Sequence, residues 1–373
     1  MLKIKQAGLC LAQIAMISAM VVSFTGSAAK AEFSPELKAL IAKAAAEKEL
    51  STSWGHTTVG GLPGAKAIAK AMNKKFGINI KIKFAAGPSM ARSAGKIIAE
   101  AKAGQKSFTD ISLGPSFTVS EIVKRDLYRE DFDWVKLLPG RITPDLLEVG
   151  NKLVRVTTTL PGVTINTSTM PGGKMPTKFS DFMKPEWKGK IAGTPYAAGF
   201  EAVSAKSVWG REKSLDLIRK LSTQMAGAIR CSEIERIANG EFAALVMDCN
   251  RTGADLWKAR GAPVEHILLD DFAQRRYYYL GVPKNAAHPN LAALYIVFGM
   301  TDEGQALYRK YWSNDLDSLP GSMQGKLVHA MQQRGAKFID VTVPFWMDNP
   351  DLKTTKREMV KIIRGRTKKG GKK

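Results

Sequence analysis

Between Leu50 and Arg125 the chain repeats one unit three times, and few folds accommodate the repeat. A strand after Leu50 runs into Trp54-Gly55-His56-Thr57-Thr58, and an apolar-periodic helix over 64–76 follows. The next unit is a strand over 78–84, the loop Ala86-Gly87-Pro88-Ser89 and a helix over 90–103. The third is a strand over 110–113, then Gly114-Pro115-Ser116 and a helix over 119–125. An amphipathic helix over 35–49 precedes them, with Leu37, Leu40, Ile41 and Ala44 at helical spacing. Strands alternating with helices predict an α/β sheet, in which ligands bind outside the carboxyl ends of the strands. The loops just named are therefore site candidates. Gly60-Gly61-Leu62-Pro63-Gly64-Ala65-Lys66 is not a phosphate loop, because Ala65 stands where the second glycine is needed and no Ser or Thr follows Lys66.

The second half carries the more specific pattern. A buried strand over 242–246 ends in polar Asp248, Asn250 and Arg251, which a core strand has no reason to carry. A helix over 253–260, a strand over 264–269 and a β-branched and aromatic run ending at Pro283 come next. His288-Pro289-Asn290 then opens an apolar helix. Gly240-Glu241, Gly261-Ala262-Pro263-Val264, Ala287-His288-Pro289-Asn290 and Thr301-Asp302-Glu303-Gly304-Gln305 stand in register. With them, the segment Phe179-Ser180-Asp181-Phe182-Met183-Lys184-Pro185-Glu186-Trp187-Lys188-Gly189-Lys190-Ile191 resembles the W-x-D-L-x-x-P-x-W-K-G-K-I motif. This series resembles the extracellular solute-binding proteins of ABC importers, in the subgroup that includes the ferric-iron binders. The resemblance implies a two-lobed type II periplasmic-binding-protein fold, each lobe a mixed sheet flanked by helices, joined by two crossover strands. By the same resemblance, lobe one takes 32–150 and 281–345, lobe two takes 151–280, and 346–373 is a basic C-terminal tail.

Export is read from the N-terminus. Lys3 and Lys5, an apolar run over 7–24 and Ala29-Lys30-Ala31 form a signal peptide, 1–31, cleaved after Ala31. Cys10 is not a lipid-attachment site, since Leu9 precedes it and the apolar run lies after it. Cleavage leaves about 340 residues, enough for two domains, with no later stretch apolar enough to span a membrane. The full chain carries a formal charge of +22; losing Lys3, Lys5 and Lys30 leaves 53 basic against 34 acidic residues, or +19. Residues 353–373 hold ten Lys and Arg with only Glu358 as acid, which reads as a frayed, solvated extension. A periplasmic monomer that binds no nucleic acid is expected. Cys231 and Cys249 remain, and an oxidising compartment permits a disulfide between them. Two buried thiols are the alternative.

The expected cleft receives His56, Thr57, Ser89, Arg92 and Ser116 from lobe one, and Thr194, Tyr196, Arg230, Ser232, Asp248, Asn250 and Arg251 from lobe two. Hydroxyls, arginines and loop N–H groups suit a small carboxylate, phosphate ester or phosphonate. The chain would pass such a solute to membrane permease subunits. In the ferric binders that it resembles, tyrosines follow the strand after the Gly-Glu motif; here Asn250-Arg251-Thr252 stands there, and Tyr277-Tyr278-Tyr279 falls in the return crossover, where core or hinge packing is expected. Iron is the alternative ligand. No resident metal or cofactor is expected, because His56, His266, His288 and His329 show no ligand spacing. A secreted enzyme using His56 with Asp248 or Glu201 is the reading from another class, but no nucleophile with an orienting partner accompanies it. A surface-binding protein acting through its basic tail is the third.

Overall fold

The computed structural model describes residues 33–370, so the expected signal peptide lies outside the described residues. The chain enters through the helix Pro35–Glu47, where the Ser34 hydroxyl accepts from Leu37 N–H at 3.1 Å and Pro35 sits in the first turn. Strand β1 (Glu49–Trp54) lies parallel to β2 (Lys81–Ala86), in register from Glu49↔Lys81 to Trp54↔Ala86. The helices Gly61–Phe76, Met90–Lys102 and Ser116–Val123 follow β1, β2 and β3 (Ser112–Pro115), so all three strand–loop–helix units form as expected. Two strands start later than expected, and side chains are the reason. Asn73 exchanges two hydrogen bonds with the backbone of Ile80, holding it out of β2. The Asp110 carboxylate accepts from the N–H groups of Ser51, Ala287 and His288, which fastens β1 to the start of the helix Pro289–Gly299.

The remaining strands are β4 (Leu147–Glu148), β5 (Leu153–Thr159), β6 (Gly162–Asn166), β7 (Ile191–Gly193), β8 (Met225–Ala228), β9 (Ala244–Asp248), β10 (Val264–Ile267), β11 (Gln274–Gly281) and β12 (Ile339–Val341). Beside the two-stranded sheet β1-β2, a first large sheet runs β12-β11-β5-β4, with β3 also paired to β11, and a second runs β10-β6-β9-β7-β8. Helices flank both, giving the expected mixed α/β architecture. The chain passes from the first sheet to the second through Leu160–Pro161, and returns through 268–273. At both passages the strand on the first-sheet side belongs to one antiparallel pair, β5 with β11.

The motif 179–191 has the structural role its residues suggested. Trp187 is buried against Phe182, ring centres 4.8 Å apart, and Gly189 at φ +75° turns the chain into β7. Around them Phe179, Phe200 and Phe272 pack edge-on and tilted at 4.8–4.9 Å in the core of the second sheet.

The expected tail is corrected. Instead of a solvated extension, 346–373 contains the end of the helix Val343–Asp348 and the helix Leu352–Gly370. Met359 and Ile363 are fully buried with Leu215, Ile218 and Leu221, and Glu358 pairs with Arg211 at 2.6 Å. Charge counting concealed an amphipathic helix: Leu352, Thr355, Met359 and Ile363 recur on one face while Lys361 and Arg364 point outward. Met359→Ala should destabilise the protein by about 2–5 kcal/mol, the range for emptying a buried methionine site; the shift of a urea unfolding midpoint measures it. A frayed tail would give no shift.

Candidate ligand site

Strands β9, β7 and β8 are adjacent and parallel, so their carboxyl ends open on one side of the second sheet. Three loops follow: Thr194-Pro195-Tyr196 after β7, Arg230-Cys231-Ser232 after β8 and Cys249-Asn250-Arg251 after β9. The second and third are joined by the disulfide Cys231–Cys249, Cα–Cα 5.9 Å. The alternative of two thiols is therefore not the state found.

Tyr196 stands between these loops. Its phenolic oxygen accepts from Cys231 N–H at 2.9 Å and lies 3.7 Å from Cys249 Sγ. Burial pushes the phenol up to about 12, with Asp248 and Tyr278 adding to the rise, while the Cys231 N–H and the Arg230 guanidinium oppose it. The hydroxyl is thus protonated at neutral pH and keeps a donor for a partner other than Cys231.

The backbone is strained where the loops begin. Ala197 and Met247, neither of them glycine, have φ of +49° and +63°. At Met247 the pairing of β9 with β6 slips, from Thr164↔Leu245 to Gly162↔Asp248, which is a bulge that re-aims the next side chain. Asp248 consequently points inward. It is fully buried, accepts from Thr164 Oγ1 at 2.6 Å, and lies 3.6 Å from His266 Nδ1. Its second oxygen has no hydrogen-bond partner among the described residues.

The expected site residues divide into two sets. Thr194 is buried and closes its own loop, donating to the Met247 carbonyl at 3.2 Å and accepting from Ala198 N–H at 3.0 Å. Asn250 accepts from Thr252 N–H in an Asx turn, and the guanidinium of Arg251 is taken up by Asp255 in a two-bond fork at 2.7 and 3.0 Å. By contrast Arg230 and Ser232 are exposed on the loop rim. From the first-sheet side, His56 and Thr57 are exposed in the loop after β1, while Ser89 and Arg92 are exposed at the start of the helix Met90–Lys102. Ser116 is buried at the start of its helix, next to Pro115, which pairs with Tyr278 on β11. The Gly60–Gly64 loop is shaped by close approach: a Cβ on Gly64 would lie 1.8 Å from the Val59 carbonyl oxygen.

Tyr278, Trp312 and Thr252, which meet beside the loop after β9, were not among the expected site residues. Tyr277 and Tyr279 face the core, where their hydroxyls reach Asp340 at 2.8 Å and Glu148 at 3.2 Å. Strand alternation turns Tyr278 to the other face, with its ring 4.8 Å from that of Trp312. Thr252 Oγ1 donates to the Trp312 carbonyl at 2.7 Å, joining the loop after β9 to the end of the helix Asp302–Trp312. Period-two alternation in the tyrosine run was the available signal.

Acid–base and metal arrangements are poorly served. Asp248 and Glu201 are both buried and held by other partners, Glu201 by Lys356 at 2.9 Å and Arg276 at 3.4 Å. None of these contacts involves His56. Ligand atoms of Cys231, Asp248 and Cys249 lie within 4.8 Å of one another, but both sulfurs are committed to the disulfide, and a thiolate is what a metal needs.

Comparison with known proteins agrees with this architecture. Residues 148–342, more than half of the chain, match the family model of the bacterial extracellular solute-binding proteins. No curated protein matches the chain. Among solved structures, the substrate-binding protein of an ABC transporter from Agrobacterium tumefaciens is similar with a TM-score of 0.69 at 17% identity, covering 85% of this chain and 94% of that one. The periplasmic binding protein AfuA from Actinobacillus pleuropneumoniae, with fructose-6-phosphate bound, gives 0.64 at 18%, covering 85% and 98%. Iron-bound HitA from Pseudomonas aeruginosa gives 0.63 at 17%, covering 83% and 99%. The chain belongs to the bacterial extracellular solute-binding protein family and has the two-lobed type II periplasmic-binding fold. Identities this low carry the fold and leave the solute open.

Two tests follow from the loops. The disulfide closes a loop with a sequence separation of 18; its removal in Cys231→Ser/Cys249→Ser should cost about 3 kcal/mol in the chain-entropy account, read from urea midpoints with and without reductant. Unfolded tyrosine ionises at about 10, and burial pushes the Tyr196 phenol up to about 12. Its stabilising share is therefore complete below the lower value and lost as pH rises through the upper one. Tyr196→Phe should flatten the alkaline decline of stability, and an unchanged slope would refute the shift.

Proposed function

We propose that this protein is the periplasmic substrate-binding component of an ABC transporter, capturing a small anionic organic solute and handing it to the permease. The single observation that carries the anion is the Tyr196 corner. A protonated phenol with a donor to spare, and an exposed guanidinium from Arg230, flank loops tied by a disulfide. Those are donors for an oxyanion, and the phenol is held in position by Cys231 N–H before the ligand arrives. The expected emphasis moves accordingly from Arg251, whose fork is occupied by Asp255, to Arg230.

The same features disfavour ferric iron. Phenols held above their ordinary pKa resist becoming phenolate ligands, and a hard ferric ion needs anionic oxygen. No bond-breaking step is proposed, so the protein acts as a carrier. Secretion would follow cleavage after Ala31, and the carrier would act as a monomer. Lobe closure is proposed to turn on Leu160–Pro161 and 268–273, later than 150 and earlier than 280, because those segments leave the paired strands β5 and β11. A solute touching both Tyr196 and the first-sheet loops would favour the closed form.

The test is native mass spectrometry of protein purified gently from the periplasm, then identification of what denaturation releases. An organic anion is the expected release; iron alone would overturn the reading. With the anion in hand, Arg230→Ala should weaken binding more than about tenfold, as for a charged hydrogen bond of about 1.5–3 kcal/mol, and Arg251→Ala should do less. The reverse order would restore Arg251 to the site.

A further inference from the structure

A cavity of about 420 Å³ opens between the helices Met90–Lys102 and Ser116–Val123 and the C-terminal segment. Its walls include Ala94, Gly95, Ile98, Phe117 and Trp346, the last two with ring centres 5.7 Å apart. None of these residues belongs to the ligand site described above. The volume falls in the range of small-molecule sites, and the walls are apolar as such sites are.

The charges around the cavity do not balance. Arg125 and Lys353 share the single carboxylate of Glu121, each at 3.4 Å. Behind Phe117, Lys356 and Arg276 share the single carboxylate of Glu201, at 2.9 and 3.4 Å, and both cations also lie over the Phe117 ring, at 4.7 and 6.0 Å. Of these charges, three cations, Arg125, Lys353 and Lys356, line the cavity itself, beside one carboxylate, Glu121. A cationic guest would be repelled, and a neutral one would leave the surplus uncompensated. A fully polar anion, for its part, would leave the aromatic wall unused.

We propose that this cavity binds a small amphipathic carboxylate, its head toward Lys353 and Lys356 and its aromatic or short acyl body against Phe117 and Trp346. The C-terminal segment makes the site, since it contributes Trp346, Lys353 and Lys356. The inference goes beyond the solute reading and stands on separate residues, so either can fail alone.

The experiment is isothermal titration of the full mature chain with 3-phenylpropionate and octanoate, beside the matching amides and inorganic phosphate. Both carboxylates should bind, the amides at least about tenfold more weakly, and phosphate not at all at this site. Gly95 lies mid-helix, where a Cβ meets nothing within 4 Å. Gly95→Leu therefore fills the cavity and favours the helix, and it should abolish carboxylate binding while the melting temperature holds or rises. Lys353→Ala, at an exposed position, should weaken binding several-fold, and Arg230→Ala should leave it unchanged. Equal binding of amides, full binding by Gly95→Leu, or no carboxylate binding at millimolar concentration would each overturn the proposal. Loss in Arg230→Ala but not in Gly95→Leu would overturn it too, by moving the probe to the Tyr196 corner.

Discussion

The antiparallel pairing of β5 with β11, from Arg276↔Thr159 to Leu280↔Val154, is the constraint on which the rest of the molecule depends. β11 is central: its first residues also pair with β12 and its last with β3, so one strand gathers the third N-terminal unit, the middle of the chain and the C-terminal segment into one sheet. Its two faces do different work. Tyr277 and Tyr279 point to a core where Arg155 stacks on Tyr277 at 4.0 Å and pairs with buried Glu148 at 2.8 Å. Arg276 and Tyr278, on the opposite face, serve the Glu201 pair and the Trp312 contact. A one-residue slip would exchange these sets, placing a guanidinium in the core and two core phenols at the site.

The ligand loops show the opposite economy, local strain held in place by surrounding structure. Positive φ at Ala197 and Met247 is unfavourable for side-chain-bearing residues. What holds them is specific: Thr194 bonds the Met247 carbonyl and the Ala198 N–H, and the disulfide fixes the loop after β8 to the loop after β9. The residues that looked most chemical in the sequence are largely the ones that do this holding. Tyr196 and Arg230, the residues proposed to meet a ligand, sit on the loops held in this way.

This division explains what was legible in the sequence. The strand–loop–helix repeats, the Trp187 packing and the convergence of the loops after β7, β8 and β9 follow from periodicity and from the geometry of parallel strands, which act locally along the chain. The candidate site was legible as a set of loops and not as a set of contacts. Arg251 caps the helix Thr252–Lys258 and stands four residues before Asp255, a spacing that forms an ion pair, yet with the helix expected to begin at 253 Arg251 read as a free loop residue. Tyr278 was hidden by its neighbours, because three successive tyrosines read as one aromatic block until a sheet separates them. The C-terminal helix was obscured by its lysines, which mask the spacing of Leu352, Thr355, Met359 and Ile363.

That helix also bears on the closure proposed above. The helix Val343–Asp348 packs on Ser116–Val123, beside the first sheet, whereas the helix Leu352–Gly370 packs on Arg211–Gln224 and β8, beside the second. Residues 349–351 are therefore a third passage between the two sides, in addition to those at Leu160–Pro161 and 268–273. Trp346 and Leu352 share one cluster with Ala205, and Lys353 reaches Glu121. Any rotation of one sheet against the other must slide or break these contacts together with the Arg276–Glu201 pair, which runs from β11 to the second-sheet side, whereas Lys356 and Glu201 lie on the same side. The ion pairs resist little: the exposed Lys353 pair yields at little cost, and buried Glu201, if Arg276 leaves it, still keeps Lys356 and strands no charge out of water. The closure proposed above would therefore be opposed here less by Glu201 than by the packing of Trp346 with Leu352 and Ala205, which come from opposite sides.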